Sequence, residues 1–294
     1  MLTPSSGGRP GLTREQARHL PGEDDVQFYE QHGWYVTPAL LPQQSIDEAV
    51  EEAARFYRGE RDRSLKIDTD YHDWRPEHGD VLRNNEFASL QSNVFRRFVA
   101  QPIIGAVAAR LARTSAIRLL DDQLIAKPPR CSSRIGWHAD GAYWSTCTSD
   151  KLLTAWVPLQ DCDESMGGLV VIDGSHQWPG VEHLRNFNDP DFFRLEDRFR
   201  AEGHVVRKIP LVLRKGQISF HHRRTVHGSD VNSSGILRLA IAIHLQDADN
   251  RYHAFHTPEG KPIHIHDEFL CRRLANGDPD FQDPDVFPLL WPVS

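Results

Sequence analysis

The sequence predicts a mainly β protein of the sandwich or jelly-roll type, with helices placed before most of the strands. Short apolar segments are separated by clusters of Gly, Pro, Asp and Ser, which is the pattern of strands joined by turns. Few helical patterns intervene between these segments, which favours a sandwich or jelly roll over alternating strands and helices. The predicted strands cover residues 115–127, 152–160, 168–172, 217–222 and 237–246.

The N-terminal part of the chain is expected to supply a disordered arm and then helices. Residues 1–24 are rich in Gly, Pro, Ser and charge and cannot offset the entropy of ordering, so we expect disorder there. Residues 25–294 are interpreted as a single domain. Helices are predicted over 26–33, ended by Gly33, after Pro42, where Ile46, Ala49, Ala53 and Phe56 recur at helical spacing, and over 95–111, with a break near Pro102.

Length, charge and cysteine usage narrow the class of protein. A chain of 294 residues with a formal net charge of −7 and no long Lys/Arg run offers no electrostatic footprint for nucleic acid or an anionic membrane. No apolar stretch reaches membrane-spanning length, and the first 16 residues lack the apolar core of a signal peptide. The four cysteines are scattered without a C-x-x-C pair. We therefore expect a soluble, cytoplasmic protein with a small-molecule partner.

A His-x-Asp sequence, together with a distant histidine, is the strongest candidate for a metal site. Residues two apart on a strand point to one side of the sheet, so His138 and Asp140 can present an imidazole and a carboxylate to one ion. His227, arriving from a distant strand, would supply a third ligand. Two histidines and one carboxylate form the facial triad that leaves positions open on iron(II), as oxygen chemistry requires.

The last predicted strand places an arginine on a face that would line a cavity. An unpaired guanidinium is costly to bury, so Arg238 should meet an anionic partner in that cavity. The apolar face of the strand comprises Leu237, Leu239, Ile241, Ile243 and Leu245, and the opposite face comprises Arg238, Ala240, Ala242 and His244.

Two long polar segments are candidates for covers over a binding site. Residues 59–86 are polar and aperiodic, and residues 181–208 are charged and contain three phenylalanines. Long irregular segments inside a compact domain are commonly either disordered or functional lids. We expect both segments to lie near the mouth of the cavity.

In their order and spacing, these motifs resemble the phytanoyl-CoA dioxygenase-like family of iron(II)- and 2-oxoglutarate-dependent oxygenases. The resemblance runs from about residue 26 to residue 246 and depends on the motifs together. They are Gly33-Trp34-Tyr35-Val36, the QLIAKPP sequence at 123–129, Trp137-His138-Ala139-Asp140, Trp156, Gly174-Ser175-His176, the H-G-S-x-x-N-x-S sequence at 227–234, and Arg238, eleven residues after His227.

The resemblance implies a fold, a set of cofactors and a role for each matching residue. The fold would be a double-stranded β-helix, a jelly-roll barrel with N-terminal helices buttressing one sheet. The cofactors would be iron(II), the cosubstrate 2-oxoglutarate and O2. The residues implied are His138, Asp140 and His227 for iron, Arg238 and Ser229 for the distal carboxylate of 2-oxoglutarate, and Gln123 and Trp156 along the 2-oxoglutarate pocket.

Substrate contacts are less well marked in the sequence than the metal ligands. Aromatic residues after the His-x-Asp strand could stack on a substrate, and a polar pair near residue 83 resembles a segment that contacts ligands in relatives. His264-Ile265-His266 places two imidazoles on one side of a possible strand, but no carboxylate follows at a suitable distance, so we do not expect it to bind metal. The candidate substrate residues are Arg83, Asn84, Tyr143, Trp144 and His222.

We therefore predict a dioxygenase that hydroxylates a small-molecule metabolite or an amino acid, with release of succinate and CO2. Asp140 supports this outcome, because related halogenases have a small residue at that position. Desaturation, epimerisation and ring closure stay open as uses of the same oxidant. A cupin-type enzyme without 2-oxoglutarate and a non-catalytic binding protein are the other readings. The sequence predicts neither the substrate nor the oligomeric state.

Overall fold

The computed structural model describes residues 11–69, 73–189 and 191–292, whose strands form two main antiparallel sheets and a small hairpin. The helices are α1 (Arg14–Arg18), α2 (Glu23–His32), α3 (Gln43–Tyr57), α4 (Ala88–Gln91), α5 (Asn93–Val99), α6 (Pro102–Leu111), α7 (Phe192–Ala201) and α8 (Asp267–Leu270). The strands are β1 (Trp34–Val36), β2 (Arg83–Glu86), β3 (Ile117–Lys127), β4 (Ile135–His138), β5 (Leu153–Pro158), β6 (Val170–Ile172), β7 (Lys208–Pro210), β8 (Ser219–His222), β9 (His227–Ser229), β10 (Arg238–Asp247), β11 (Phe255–His256), β12 (Pro262–Ile263) and β13 (Leu289–Trp291).

The two main sheets enclose the interior of the barrel. In the described residues the larger sheet has the order β1-β8-β5-β10-β3-β13, with β2 also paired to β3, and the smaller sheet has the order β4-β9-β6-β7. Apolar side chains from both sheets meet between them, among them Ile125 and Trp156 from the larger sheet and Ile135 and Val171 from the smaller. This is the double-stranded β-helix that the sequence predicted.

Helices from the N-terminal half cover the outer face of the larger sheet. Helix α3 buries Ile46, Ala49, Ala53 and Phe56, and helices α5 and α6 contribute to the same apolar cluster. The strands supply alternate residues to this cluster, as the period of two in a pleated strand requires. Strand β10 therefore packs Leu239, Ile241, Ile243 and Leu245 on the helices and directs Arg238, Ala242 and His244 into the barrel.

The predicted elements agree closely with the structure where the pattern is strong. Each of the five predicted strands is present, with ends within two residues of those predicted. Helix α2 ends before Gly33, whose φ of 80° is left-handed and therefore suits glycine. The predicted break near Pro102 separates α5 from α6, because proline favours the first turn of a new helix.

The predicted disordered arm does not extend to residue 24. Residues 14–18 form α1, which begins with a capping box: Thr13 Oγ1 accepts from the Gln16 N–H at 3.1 Å, and Gln16 Oε1 accepts from the Thr13 N–H at 3.0 Å. Leu12 and Leu20 pack against the main core and fix both ends of this segment. The polar composition of the segment gave no indication of these two apolar contacts. Residues 1–10, which the prediction also covers, lie outside the described residues.

The two predicted lid segments contain regular structure. Within 59–86, residues 83–86 form β2 and pair with β3, so this part is an edge of the barrel rather than an irregular loop. Within 181–208, residues 192–201 form α7, whose Leu195 and Phe199 pack with Trp137. Residues 70–72 and 190 lie outside the described residues.

Two further expectations concern the thiols and the membrane. Cys131, Cys147, Cys162 and Cys271 are all buried, and none is bridged. Among the described residues, no helix combines the length and the apolar character needed to cross a bilayer.

Candidate active site

A cavity between the two sheets brings the predicted site residues together. Its inner chamber lies inside the barrel and is lined by residues of both sheets, including Trp156, Ser229 and Arg238. Its outer chamber, of about 270 Å³, lies at the barrel mouth and is lined by Asn84 and Tyr143, among others. The two chambers share five residues at their junction, Gln123, His138, Asp140, Phe187 and His244.

His138, Asp140 and His227 converge beside this junction, with His227 on the inner-chamber side. His138 ends β4, and His227 begins β9 directly opposite in the ladder. Asp140 lies on the 3-10 turn that follows β4, and the intervening Ala139 is still extended, so the alternation of the strand carries through to Asp140. One ligating atom from each of the three residues lies within 4.8 Å of the others, and all three side chains are buried.

The hydrogen bonds of the two histidines leave their Nε2 atoms free to bind a metal. Nδ1 of His138 lies 2.8 Å from the carbonyl oxygen of Gly136, and Nδ1 of His227 lies 2.9 Å from that of Thr225. A carbonyl only accepts, so each Nδ1 carries the proton and each Nε2 keeps its lone pair. These Nε2 atoms lie 3.4 and 3.3 Å from Asp140 Oδ1.

The second carboxylate oxygen of Asp140 is held by a polar row on the larger sheet. Thr154 Oγ1 donates to Asp140 Oδ2 at 2.6 Å, and His221 Nε2 lies 3.0 Å from the same oxygen. His244 Nδ1 lies 2.9 Å from Thr154 Oγ1. Adjacent strands β8, β5 and β10 place these residues side by side in register. Asp140 is thus oriented with Oδ1 toward the two histidines, an arrangement that suits one-oxygen coordination.

The protonation states also suit a metal. Burial opposes ionisation of Asp140, but the adjacent His227 imidazole and the hydrogen bond with His221 hold its pKa well below the usual range. Burial and the neighbouring His227 lower the pKa of His138, which keeps this imidazole neutral. Two imidazoles and one carboxylate are the donor set of non-haem iron(II) sites, so the residues present fit that ion.

Arg238 is a buried cation with unused hydrogen-bonding capacity. It lines the inner chamber at 2% exposure, and its Nε and Nη2 have no hydrogen-bond partner among the described residues. The ring of Trp156 lies 5.8 Å from the guanidinium carbon. Leaving such donors unpaired is costly, so the site is built for an anion with at least two acceptor oxygens. The carboxylate of 2-oxoglutarate has this chemistry.

Lys127 belongs to the same end of the chamber and was not assigned a role from the sequence. It faces Arg238 across the β3–β10 ladder and is fully buried. Its Nζ donates to Ser229 Oγ at 2.7 Å, to the Ser229 carbonyl at 3.1 Å and to the Asp230 carbonyl. Because Ser229 Oγ accepts this bond, its own proton is free for a ligand in the chamber. The period of two from Gln123 through Ile125 could have identified Lys127 as inward-facing.

The candidate substrate residues divide between the cavity and other surroundings. Asn84, Tyr143 and Trp144 line the outer chamber. Arg83 instead stacks on the Trp74 ring at 4.4 Å, because the alternation of β2 sends it away from Asn84. His222 packs near His176 outside the cavity.

The alternation of β8 corrects the choice between two consecutive histidines. His221 lines the inner chamber and contacts Asp140, whereas His222, the candidate proposed from the sequence, points away. His264 and His266 each contact a carboxylate. His264 Nδ1 lies 2.8 Å from the Glu268 carboxylate, and His266 Nδ1 lies 2.8 Å from that of Glu86.

The segment 181–208 contributes directly to the junction of the chambers. The Phe187 ring lies 5.1 Å from the His138 ring, edge to face. The Gly136 N–H donates to the Phe187 carbonyl at 2.8 Å, which ties the segment to β4. A side chain at position 136 would collide with the backbone oxygens of Asn186 and Asp189, so this close approach requires glycine.

Comparisons with known proteins agree with this site. The model of the family described as phytanoyl-CoA dioxygenase (PhyH) matches residues 29–240. The peroxisomal phytanoyl-CoA dioxygenase of Bos taurus is 27% identical over 241 residues, which is 77% of this chain and 68% of that protein. The probable alpha-ketoglutarate-dependent hypophosphite dioxygenase of Stutzerimonas stutzeri is 31% identical over 140 residues, covering 45% of this chain and 46% of that one.

Solved structures share the fold over most of the chain. The alpha ketoglutarate-dependent carbocyclase SnoK from nogalamycin biosynthesis has a TM-score of 0.68 at 23% identity, covering 92% of this chain and 96% of its own. The epimerase SnoN, in complex with Fe3+, alpha ketoglutarate and nogalamycin RO, has a TM-score of 0.65 at 27% identity, covering 91% and 98%. The chain belongs to the phytanoyl-CoA dioxygenase (PhyH) family and is an iron(II)- and 2-oxoglutarate-dependent dioxygenase.

Proposed function

We propose that this enzyme hydroxylates a small-molecule metabolite or an amino acid, coupled to conversion of 2-oxoglutarate to succinate and CO2. The observation that carries the proposal is the buried His138, Asp140 and His227 cluster beside an unpartnered Arg238 guanidinium. The three clustered side chains would hold iron(II). Arg238 and Ser229 would bind the distal carboxylate of 2-oxoglutarate, with Gln123 and Trp156 lining its chamber.

The residues around the metal site have separate tasks. The carbonyls of Gly136 and Thr225 fix the tautomers of the two histidine ligands, and Thr154 and His221 fix the orientation of Asp140. Iron, once bound with 2-oxoglutarate and O2, supplies the oxidation of an unactivated C–H bond. The apolar walls of the inner chamber would keep water from that chemistry once a substrate fills the outer chamber.

Two chambers with a shared junction support a division between cosubstrate and substrate. The inner chamber contains the cation that suits 2-oxoglutarate, and the outer chamber opens at the mouth, where segments 59–86 and 181–208 contribute Asn84, Arg185 and Phe187. We propose that these segments cover a bound substrate. We further propose that residues 25–294 form a single oxygenase domain and that the enzyme acts in the cytoplasm. Its substrate is a small molecule and not a nucleic acid.

Other outcomes of the same oxidation are distinguished by product. Relatives of this fold include a carbocyclase and an epimerase, so ring closure and epimerisation stay as alternatives, together with desaturation. The carboxylate at position 140 favours hydroxylation over halogenation, since no ligand position is vacated for a halide. Mass spectrometry of the product separates a gain of one oxygen atom from a loss of two hydrogens or no change in mass.

The test is the stepwise anaerobic addition of iron(II) and then 2-oxoglutarate to metal-free protein. We expect a weak visible absorption band from the chelate, which weakens in Arg238→Ala and is lost in His138→Ala. Arg110→Ala, which removes an exposed arginine on α6, is the matched control and should leave the band unchanged. A folded protein that gives no band, or an Arg238→Ala variant with undiminished 2-oxoglutarate affinity, would favour a cupin-type enzyme or a binding protein.

A further inference from the structure

The outer chamber has an acidic wall that the oxidation chemistry does not use. Glu86 at the end of β2, Asp121 on β3 and Asp267 at the start of α8 all line it. Asp121 and Asp267 are 6% and 4% exposed. Carboxylates are rarely buried to this extent without a cationic or hydrogen-bonding partner.

The three carboxylates differ in how completely their oxygens are hydrogen-bonded. Glu86 interacts with His266 Nδ1 at 2.8 Å and accepts from Gln123 Nε2 at 3.5 Å. Oδ1 of Asp121 and Oδ1 of Asp267 have no hydrogen-bond partner among the described residues. Arg185, the arginine on the chamber wall, instead donates to the carbonyl of Ala142 at 2.7 Å. The chamber wall therefore carries two buried carboxylates whose hydrogen-bonding capacity is unfilled within the fold.

A small metal ion does not suit this wall. In the part of the chain that the structure describes, His138, Asp140 and His227 form the one set of three metal-ligating residues whose donor atoms converge within 4.8 Å. Glu86, Asp121 and Asp267 do not converge in this way, although all three face the same chamber. Carboxylates spread over a chamber wall suit an organic cation whose several N–H groups point in different directions.

We propose that the substrate of this enzyme carries a protonated amine or guanidinium group, which docks against Asp121 and Asp267 in the outer chamber. This inference rests on the proposed function and adds a substrate class to it. Burial and the charge of Asp267 raise the pKa of Asp121 well above its usual range, and burial raises the pKa of Asp267 to about 7. A bound cation relieves this unfavourable pairing of like charges.

The position of the cation site orients the substrate toward the metal. Asp121 lies opposite His244 in the β3–β10 ladder, and His244 lines the junction of the two chambers. Tyr143, Trp144 and Phe187 provide an aromatic wall beside the acidic one. A cation with an apolar or ring-shaped body therefore fits the chamber, with its charge anchored at the wall and its C–H bonds near the junction.

The test measures the binding of two pairs of probes that differ mainly in charge: cyclohexylmethylamine against cyclohexylmethanol, and butylguanidine against butylurea. Calorimetric titration is performed on the anaerobic enzyme loaded with iron(II) and 2-oxoglutarate. We expect the cation of each pair to bind at least about 30-fold more tightly than the neutral compound. Asp121→Asn and Asp267→Asn should abolish this preference.

Asp122→Asn is the matched control for the loss of one charge. Asp122 neighbours Asp121 on β3 but points away from the chamber and accepts from the Ser89 N–H at 2.9 Å, so its variant should keep the preference. Asp121→Asn should melt no lower than the wild type, because it removes a buried charge without a cationic partner. A lower melting temperature combined with equal binding of both members of each pair would mean that Asp121 and Asp267 merely share a proton, and would overturn the inference.

The outcomes for the inference and for the proposed function are separable. If the chelate band forms but cations have no advantage over their neutral partners, the inference fails and the proposed function stands. If the amine is preferred by protein that forms no band, the cation site stands and the proposed function fails.

Discussion

Arg238→Met is expected to change stability and cosubstrate binding in opposite directions. Methionine retains much of the aliphatic stem of Arg238 but removes the two buried nitrogens that have no hydrogen-bond partner. A buried donor without a partner costs about 1–3 kcal/mol. We use about 1 kcal/mol for each nitrogen, because the inner chamber opens into the outer one and admits water. The cation–π contact with Trp156, at 5.8 Å, offsets roughly 1 kcal/mol. The net gain without ligand is about 1 kcal/mol, or a melting temperature higher by about 2–3 °C.

Adding 2-oxoglutarate should reverse this order. At a concentration one hundred times the wild-type Kd, ligand binding stabilises the wild type by about 2.7 kcal/mol. Loss of a buried charge-assisted contact weakens binding by about 2–5 kcal/mol, so the variant gains less than about 1 kcal/mol at the same concentration. The two melting curves should therefore exchange places when 2-oxoglutarate is added.

Calorimetry of both proteins with iron(II) under anaerobic conditions, with and without 2-oxoglutarate, measures both effects. Arg238→Lys keeps the charge but not the planar fork, and should lie between the two. A variant that is less stable than the wild type without ligand would show that Arg238 is already satisfied within the fold. A variant that is fully stabilised by 2-oxoglutarate would remove Arg238 from its binding site.

Three further predictions follow from individual contacts. Thr154→Val removes the hydroxyl that donates to Asp140 at 2.6 Å. Iron(II) affinity, measured by competition with a chelator, should fall about 10-fold. An unchanged affinity would contradict the role of this hydrogen bond. Lys127→Met removes the 2.7 Å hydrogen bond to Ser229 Oγ. The KM for 2-oxoglutarate should rise about 10-fold while the iron affinity is unchanged. A loss of iron affinity would instead indicate a general collapse of the chamber. Burial raises the pKa of Asp122 from 3.8 to about 6, so the folded state binds a proton that the unfolded state has lost, and stability falls as pH rises through this window. Asp122→Asn should therefore raise the urea-unfolding free energy by up to roughly 3 kcal/mol above pH 6 and by little below pH 4, and an equal effect at both pH values would refute this account.

The barrel could be predicted from the sequence where local pattern and final environment coincide. The alternation over residues 237–246 already separates the helix-facing residues from the chamber-facing ones, and the structure keeps that division. Strand β2 could not be predicted, because its four residues, RNNE, have no apolar pattern and depend on pairing with β3. Helix α1 was missed because few contacts anchor it, namely the packing of Leu12 and Leu20 and the hydrogen bond from Gln16 Nε2 to the Leu40 carbonyl at 3.0 Å.

The site residues that the sequence placed wrongly have one physical cause: the sequence of a short strand does not show which face each residue occupies. His221 and His222 are adjacent, as are Arg83 and Asn84, and in each pair only one residue faces the cavity. A shift of one residue in a strand reverses every side chain, and four-residue strands are too short for their sequence to fix the phase. The candidate metal ligands His138 and Asp140 escaped this ambiguity, because residues two apart lie on the same face of a strand whichever way it is turned.

The arrangement of the two chambers explains why the family resemblance predicts the cosubstrate better than the substrate. The candidate metal ligands and Arg238 lie on paired strands, or directly after one, within residues 29–240, the region that the family model matches. Asp267 lies beyond that region, on α8, and completes the outer chamber from the C-terminal segment. Substrate preference can therefore change in this segment without disturbing the ladder that orients Asp140. Asp267→Asn should leave the iron–2-oxoglutarate band intact and lower amine affinity, whereas Thr154→Val should weaken the band and leave the amine preference intact; coupled losses in both variants would mean that the two chambers do not work independently.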